Sequence, residues 1–195
     1  MSRSKGRSRS ERGGSRDAKS APETTDSGAD RLFAAGAWTL RFHPLLLEQI
    51  ERVVSAAERE AAARAPGGPE GPNTKLAAAM RRLMFEEVPE DPSRSKYRQG
   101  GTLGAEFKHW LRAKFGNGRF RLFFRYRKDA GLIVYAWVND ETTLRTYGSS
   151  TDAYAVFRRM LGGNNPPDDW DDLVRAASAP DAMRRARELF GPGGA

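Results

Sequence analysis

Cysteine is absent from the sequence. That excludes a disulfide framework, a thiol nucleophile, an iron–sulfur site and a thiolate zinc site. Histidine is nearly absent, and His43 and His109 stand too far apart to match a metal-ligand spacing. No apolar run approaches the ~20 residues a membrane helix requires, and the N-terminus lacks the apolar stretch of a secretory signal. No membrane role is expected, and the expected setting is a reducing cytoplasm. Hydrophobic residues are scarce, 38% of 195, which still supports one core if part of the chain stays outside it. Acids are outnumbered, 25 against 33 Lys plus Arg, for a net charge of +8. Such a balance favours a polyanionic partner, most often nucleic acid.

Residues 1–30 contain no apolar side chain larger than Ala or Pro apart from Met1. This Arg/Ser/Gly segment cannot bury enough surface to offset its ordering entropy and reads as a disordered basic tail. Order is expected from about Trp38. Pro44 opens a helix whose Leu46, Leu47, Ile50, Val53 and Val54 form an apolar stripe, ending at Pro66-Gly67-Gly68. Asn73 can cap a second helix that runs to Glu87 and stops at Val88-Pro89. The two should pack as a hairpin.

After Pro92 the period changes from helix to strand. Alternating runs over Phe107–Phe115, Arg119–Arg127 and Leu132–Asn139 are separated by Gly116-Asn117-Gly118 and by Lys128-Asp129-Ala130-Gly131. These are hairpin signals, and they predict a three-strand antiparallel meander. Asp152 can cap a helix through Leu161, and a short helix comes after Trp170. Asp168, Asp169, Asp171 and Asp172 are explained by capping rather than by metal binding, and no metal site or cofactor is expected.

The charge is concentrated. Between Arg94 and Lys128 there are eleven basic residues and one acid, Glu106. Strand alternation puts Lys108, Trp110, Arg112 and Lys114 on one face of the first strand, and Arg119, Arg121, Phe123, Arg125 and Arg127 on one face of the second. The opposite faces are apolar except for His109, which is expected to point toward the helices. The expected result is a sheet with one open face of guanidinium groups and aromatic rings, suited to the phosphates and bases of single-stranded RNA.

The stretches GAWTLRFHPLLLEQIE, NTKLAAAMRRLMFEEVPEDP, YRQGGTLGAEFKHWLRAKFGNGRFRLFFRY, IVYAWVNDETTLRTYGSSTDAYAVFRRML and NPPDDW resemble the YhaV family of type II toxins. Together they span residues 36–175, leaving residues 176–195 as a short helical or frayed tail. The resemblance implies an α+β, RelE/ParE-like fold: an N-terminal helical hairpin packed on a small antiparallel sheet, followed by C-terminal helices. It implies a metal-independent endoribonuclease that cuts messenger RNA, free or on the ribosome. It implies an antitoxin of the PrlF type with an AbrB-like fold, and operator DNA reached through the toxin–antitoxin complex.

Metal-free RNA cleavage uses the 2′-OH as nucleophile and needs a base, cations on the phosphorane and an acid for the leaving oxygen. By resemblance to RelE-type nucleases, Lys114 is the expected base, or a charge that assists 2′-OH ionisation. Arg121 is expected on the scissile phosphate, Arg145 on the transition state, and Tyr154 as a proton carrier or stacking ring. Lys108, Trp110, Arg112, Arg119, Arg125 and Tyr147 are expected to bind RNA around them. Two rival readings stand beside this one: a non-catalytic RNA- or DNA-binding module, and a RelE-fold toxin with a protein target.

Overall fold

A computed structural model describes residues 33–191; the tail expected over residues 1–30 lies outside them. Two short strands, Ala34–Ala35 (β1) and Trp38–Phe42 (β2), lead into a helical hairpin of Pro44–Ala63 (α1) and Pro72–Arg82 (α2). The last turns of the second arm are a π segment, Leu83–Glu87, and a final turn, Val88–Glu90 (α3). Then come Leu111–Phe115 (β3), Phe120–Arg127 (β4) and Leu132–Val138 (β5), followed by Ala153–Gly162 (α4), Trp170–Ala177 (α5) and Pro180–Phe190 (α6). The protein is α+β.

The three strands of the expected meander are antiparallel neighbours, but they are part of a larger, mixed sheet of order β1-β2-β5-β4-β3. The strand β2, absent from the sequence expectation, pairs parallel with β5 from Thr39↔Leu132 to Phe42↔Tyr135. It places β5 at the centre. The first strand of the meander is shorter than expected, because residues before Leu111 turn rather than extend, with Trp110 N–H donating to the Phe107 carbonyl at 3.0 Å.

Neither face of the sheet is open, which corrects the expected exposed arginine face. One face carries Phe42, Leu122, Phe124, Ile133 and Tyr135 against α1, α2 and α6. The other carries Trp110, Phe123, Val134, Ala136 and Trp137 against α4 and α5, with Phe157 of α4 stacked on Phe123 at 4.2 Å. The physical reason lies in β5, whose LIVYAWV has no charged residue and suits a strand covered on both sides. A register shift between Phe123 and Phe124 turns both Ala136 and Trp137 to the second core.

The hairpin arms are joined by chemistry the sequence did not advertise. Asn73 is not the cap of α2. Instead Glu60, near the end of α1, accepts from the N–H groups of Asn73 and Thr74 and from Asn73 Nδ2 at 2.7–3.2 Å. Val88-Pro89 does not stop the helix, because the π segment takes Val88 N–H to the Leu83 carbonyl. Continuing that spacing, the partner of the Met84 carbonyl would be Pro89, which has no N–H. The buried Tyr135 hydroxyl donates to it instead, at 2.6 Å. The C-terminal segment is not frayed over Pro180–Phe190: Arg185 forms two hydrogen bonds to Glu51 of α1 at 2.7 and 2.8 Å, and Phe190 packs on Phe42.

At the start of α1 the buried His43 accepts from Leu45 N–H through Nδ1 at 3.3 Å. Burial lowers its pKa from 6.5 to about 4. The unfolded chain takes up a proton near pH 6.5 that the folded chain refuses until about pH 4. Stability therefore declines as pH falls through that window, by up to about 3 kcal/mol. The variant His43→Asn keeps a capping acceptor without titrating, and denaturant melts across the window should show that this decline is flattened. Separately, Tyr135→Phe leaves the Met84 carbonyl without its hydroxyl donor and should lower unfolding stability by about 1–3 kcal/mol at neutral pH.

Candidate active site at Tyr154

The β3–β4 hairpin places Lys114 directly opposite Arg121, and Arg112 opposite Phe123. Residues paired across antiparallel strands share a face, so Arg112, Lys114 and Arg121 point to the side on which α4 lies. The first turn of α4 lays Tyr154 onto that side, with its ring edge-on to Phe123 at 5.6 Å.

Three guanidinium groups converge on this tyrosine. Arg112 Nε donates to the Tyr154 hydroxyl at 2.9 Å, while its Nη1 donates to the Lys96 carbonyl at 2.7 Å. Arg121 lies 5.7 Å from the centre of the Tyr154 ring, and Arg145 lies 4.8 Å from it. Arg145 also contacts the ring of Tyr147, at 3.7 Å. Tyr147 is 85% exposed, alone among the large hydrophobic residues described.

The arrangement is fixed by Asp152, a residue singled out in the sequence only as a helix cap. Its Oδ1 accepts from Tyr154 N–H at 2.9 Å, and its Oδ2 accepts from Thr146 N–H at 2.7 Å and from Arg145 Nη1. Burial alone would raise the Asp152 carboxyl; Arg145 and the two N–H groups more than reverse this and hold it below the ordinary carboxylate range. Burial alone would likewise lower the Arg145 pKa, and the carboxylate turns that into a rise. Beside the pair is an open hollow of about 250 Å³, lined by Thr102, Arg145, Ser149, Asp152, Tyr154 and Arg158.

The remaining expected residues divide sharply. Lys114 is exposed. Arg119 is exposed and pairs with Glu141 at 2.6 Å. Lys108 is exposed, but in a turn rather than on the strand. Arg121 is only 6% exposed, with Nη1 donating to the Gly118 and Arg119 carbonyls and Nε without a hydrogen-bond partner. It packs against the Tyr154 ring, itself only 6% exposed, and is not open to a phosphate in this conformation.

Trp110 is fully buried, packed edge-on against Phe157 with its Nε1 donating to Asp168 Oδ1 at 2.7 Å, so it offers no stacking surface to RNA. Arg125 is half-buried over the rings of Trp110 and Trp170 and donates to the Asp168 carbonyl. It braces the start of α5 rather than a ligand, and burial lowers its pKa. His109 does not face the helices of the first core: it lies outside β3, partly exposed, with Nε2 2.7 Å from Asp168 Oδ1. His109 departs from the even-odd alternation because the strand has not begun there, whereas Trp110 and Arg125 lie on the expected face, which α4 and α5 cover.

No solved structure gives a significant match to the chain. The sequence profile of a family described as toxins with endonuclease activity, of toxin–antitoxin systems, matches residues 40–178, a span that includes every residue of the Tyr154 site. The ribonuclease toxin YhaV of Escherichia coli K12 is 41% identical over 139 residues, which are 71% of this chain and 90% of that protein. The toxins YhaV of Escherichia coli O157:H7 and O6:H1 are 41% and 40% identical over the same length. With arginines gathered at a tyrosine, and with a match that runs from β2 to the end of α5, the chain belongs to the YhaV family of toxins with endonuclease activity.

Proposed function

We propose that the chain is a metal-independent endoribonuclease that cuts single-stranded RNA at the Tyr154 site, by attack of the substrate's own 2′-OH on the adjacent phosphate. The observation that carries this is the convergence of Arg112, Arg121 and Arg145 on one phenol. Fixed cations around a proton-bearing hydroxyl are what a phosphorane and its leaving oxygen require. The donor set favours phosphate over divalent metal, because its one carboxylate, Asp152, is consumed by Arg145 and two backbone N–H groups.

In this reading Lys114, exposed at the hairpin, takes the 2′-OH proton or stabilises the forming alkoxide. Arg145 stabilises the phosphorane, and Tyr154 delivers a proton to the 5′-oxygen as the P–O5′ bond breaks. Arg121 acts as a buried charge against the ring. Tyr147 offers a stacking surface for a base, and Arg119 and Lys108 hold flanking phosphates. The substrate is messenger RNA, free or on the ribosome. The partner is a PrlF-type antitoxin with an AbrB-like fold, which brings the toxin to operator DNA. The order of helical hairpin, sheet and C-terminal helices supports a RelE-like ancestry.

The test is cleavage of a long unstructured RNA in EDTA. The wild type should cut it. Arg145→Ala and Tyr154→Phe should each slow cutting by about a hundredfold or more, with melting still cooperative. Arg119→Ala should mainly weaken binding and reduce the slope of log affinity against log salt by about one. Binding without cleavage, with or without ribosomes, favours the non-catalytic module; dependence on added divalent metal removes the metal-free chemistry.

A further inference from the structure

The hollow of about 250 Å³ beside Arg145 and Asp152 has a second wall, the loop of residues 99–104, which reaches it through Thr102. No helix or strand holds that loop, and buried groups do so instead. Leu103 is fully buried in the second core. The side-chain amide of the buried Gln99 accepts from Leu103 N–H at 3.0 Å and donates to the Phe107 carbonyl at 3.2 Å. Thr102 Oγ1 donates to the Gln99 carbonyl at 2.9 Å. Arg158 of α4 closes the join, its Nε donating to the Leu103 carbonyl at 2.9 Å and its Nη2 to the Thr102 carbonyl at 3.1 Å. The two walls are therefore fixed to each other before any ligand arrives.

Apart from Gly148 and Ala155, every residue lining the hollow carries a hydroxyl or a charge. It offers no slot for an apolar group. Its two cations differ. Arg145 is paired with Asp152. Arg158 has no acidic partner among the described residues: the two carbonyls take the edge formed by Nε and Nη2, and Nη1 has no hydrogen bond there. The side chain is also exposed. A guanidinium held by one edge, open to solvent and not neutralised, is a preoriented donor for a phosphate oxygen.

Arg158 stands four residues after Tyr154, so both lie on one face of α4, about 6 Å apart along its axis. One nucleotide of an unstacked strand can bridge such a step. The direction of the strand follows from the chemistry assigned to the site. Tyr154 gives its proton to the 5′-oxygen, which belongs to the nucleotide downstream of the cut. Tyr154 lines the hollow, whereas Lys114, assigned to the 2′-OH, does not.

We propose that this hollow seats the sugar and phosphate of the first nucleotide downstream of the cut, with Arg158 holding the phosphate immediately 3′ of the scissile one. This rests on the reading of Tyr154 as the proton donor. Arg158 is then a binding residue that sets the register and polarity of the RNA: upstream nucleotides lie over the β3–β4 hairpin, downstream ones leave past the loop at Thr102. An RNA whose last linkage is the scissile one has no phosphate for Arg158, so internal linkages are favoured.

The test uses a 2′-O-methyl oligonucleotide with one unmodified ribose, which leaves a single cleavable bond. An uncharged methylphosphonate replaces the linkage either immediately 3′ or immediately 5′ of that bond. For the wild type the 3′ replacement should lower kcat/KM about tenfold, mainly through KM; Arg158→Ala should lose about as much on the ordinary substrate and nothing further on the 3′ replacement. Equal 3′ penalties in both proteins overturn the proposal, as does a penalty that Arg158→Ala abolishes only on the 5′ side. Binding of the fully 2′-O-methylated strand gives a second measure. Arg158→Ala should reduce the slope of log affinity against log salt by about one, and Arg158→Lys, which keeps the charge but not the two-carbonyl edge, should restore it. A slope unchanged in Arg158→Ala, or lowered in both variants, assigns Arg158 to holding the loop and overturns the proposal. If Tyr154→Phe cuts as fast as the wild type, or if no protein cuts with or without ribosomes, the reading of Tyr154 fails, while the slopes still decide whether Arg158 holds a phosphate.

Discussion

One buried carboxylate sets the geometry of the Tyr154 site. Asp152 ends the loop that follows β5 and begins α4, and its oxygens serve both. Removing either partner would leave the other charge uncompensated where it is only partly reached by solvent. Arg145 and the start of α4 are therefore held in one arrangement, and Tyr154, two residues after Asp152, is brought to the sheet with them. The loop carries the fixed cation and the helix carries the phenol. Neither would find the other without the acid between them.

Around the sheet and the Tyr154 site, several arginines are held by neutral partners rather than by acids. Arg112 is held by the Lys96 carbonyl and the Tyr154 hydroxyl, and Arg121 by the Gly118 and Arg119 carbonyls. Arg158 donates to the Thr102 and Leu103 carbonyls, and Arg125 to that of Asp168. Carbonyl groups and aromatic faces orient a guanidinium without neutralising it. The basic stretch thus keeps its net charge while its side chains are fixed in place, and Lys108, Lys114 and Arg119 remain at the surface.

Features that depend on local chemistry were legible in the sequence. Pro44 marked the start of α1, Asp152 the start of α4, and the Asn117 turn the β3–β4 hairpin, where its φ of 53° is of the kind Asn tolerates. Alternation along β3 and β4 correctly set Lys114 beside Arg121 and Arg112 on the same side. What could not be read depends on distant partners. Nothing within WTLRF announces parallel pairing with a strand that lies beyond Pro92. The sealing of the arginine face required knowing that Phe157 and Leu173 would cover it, although the uninterrupted apolar run of β5 is a usable hint. The contact of Arg112 with Tyr154 joins residues that no short motif links. Pro89 misled because a π segment and the Tyr135 hydroxyl remove the usual penalty.

The parallel pairing of β2 with β5 also has a bearing on synthesis. Thr39 emerges early from a translating ribosome, and Leu132, its partner, emerges only after both arms of the hairpin and two further strands. The central ladder of the sheet cannot close on a shorter nascent chain, and Arg145 and Tyr154 come later still. The sheet, and with it the cluster of arginines at Tyr154 proposed to cut RNA, is therefore assembled only in the closing stage of translation.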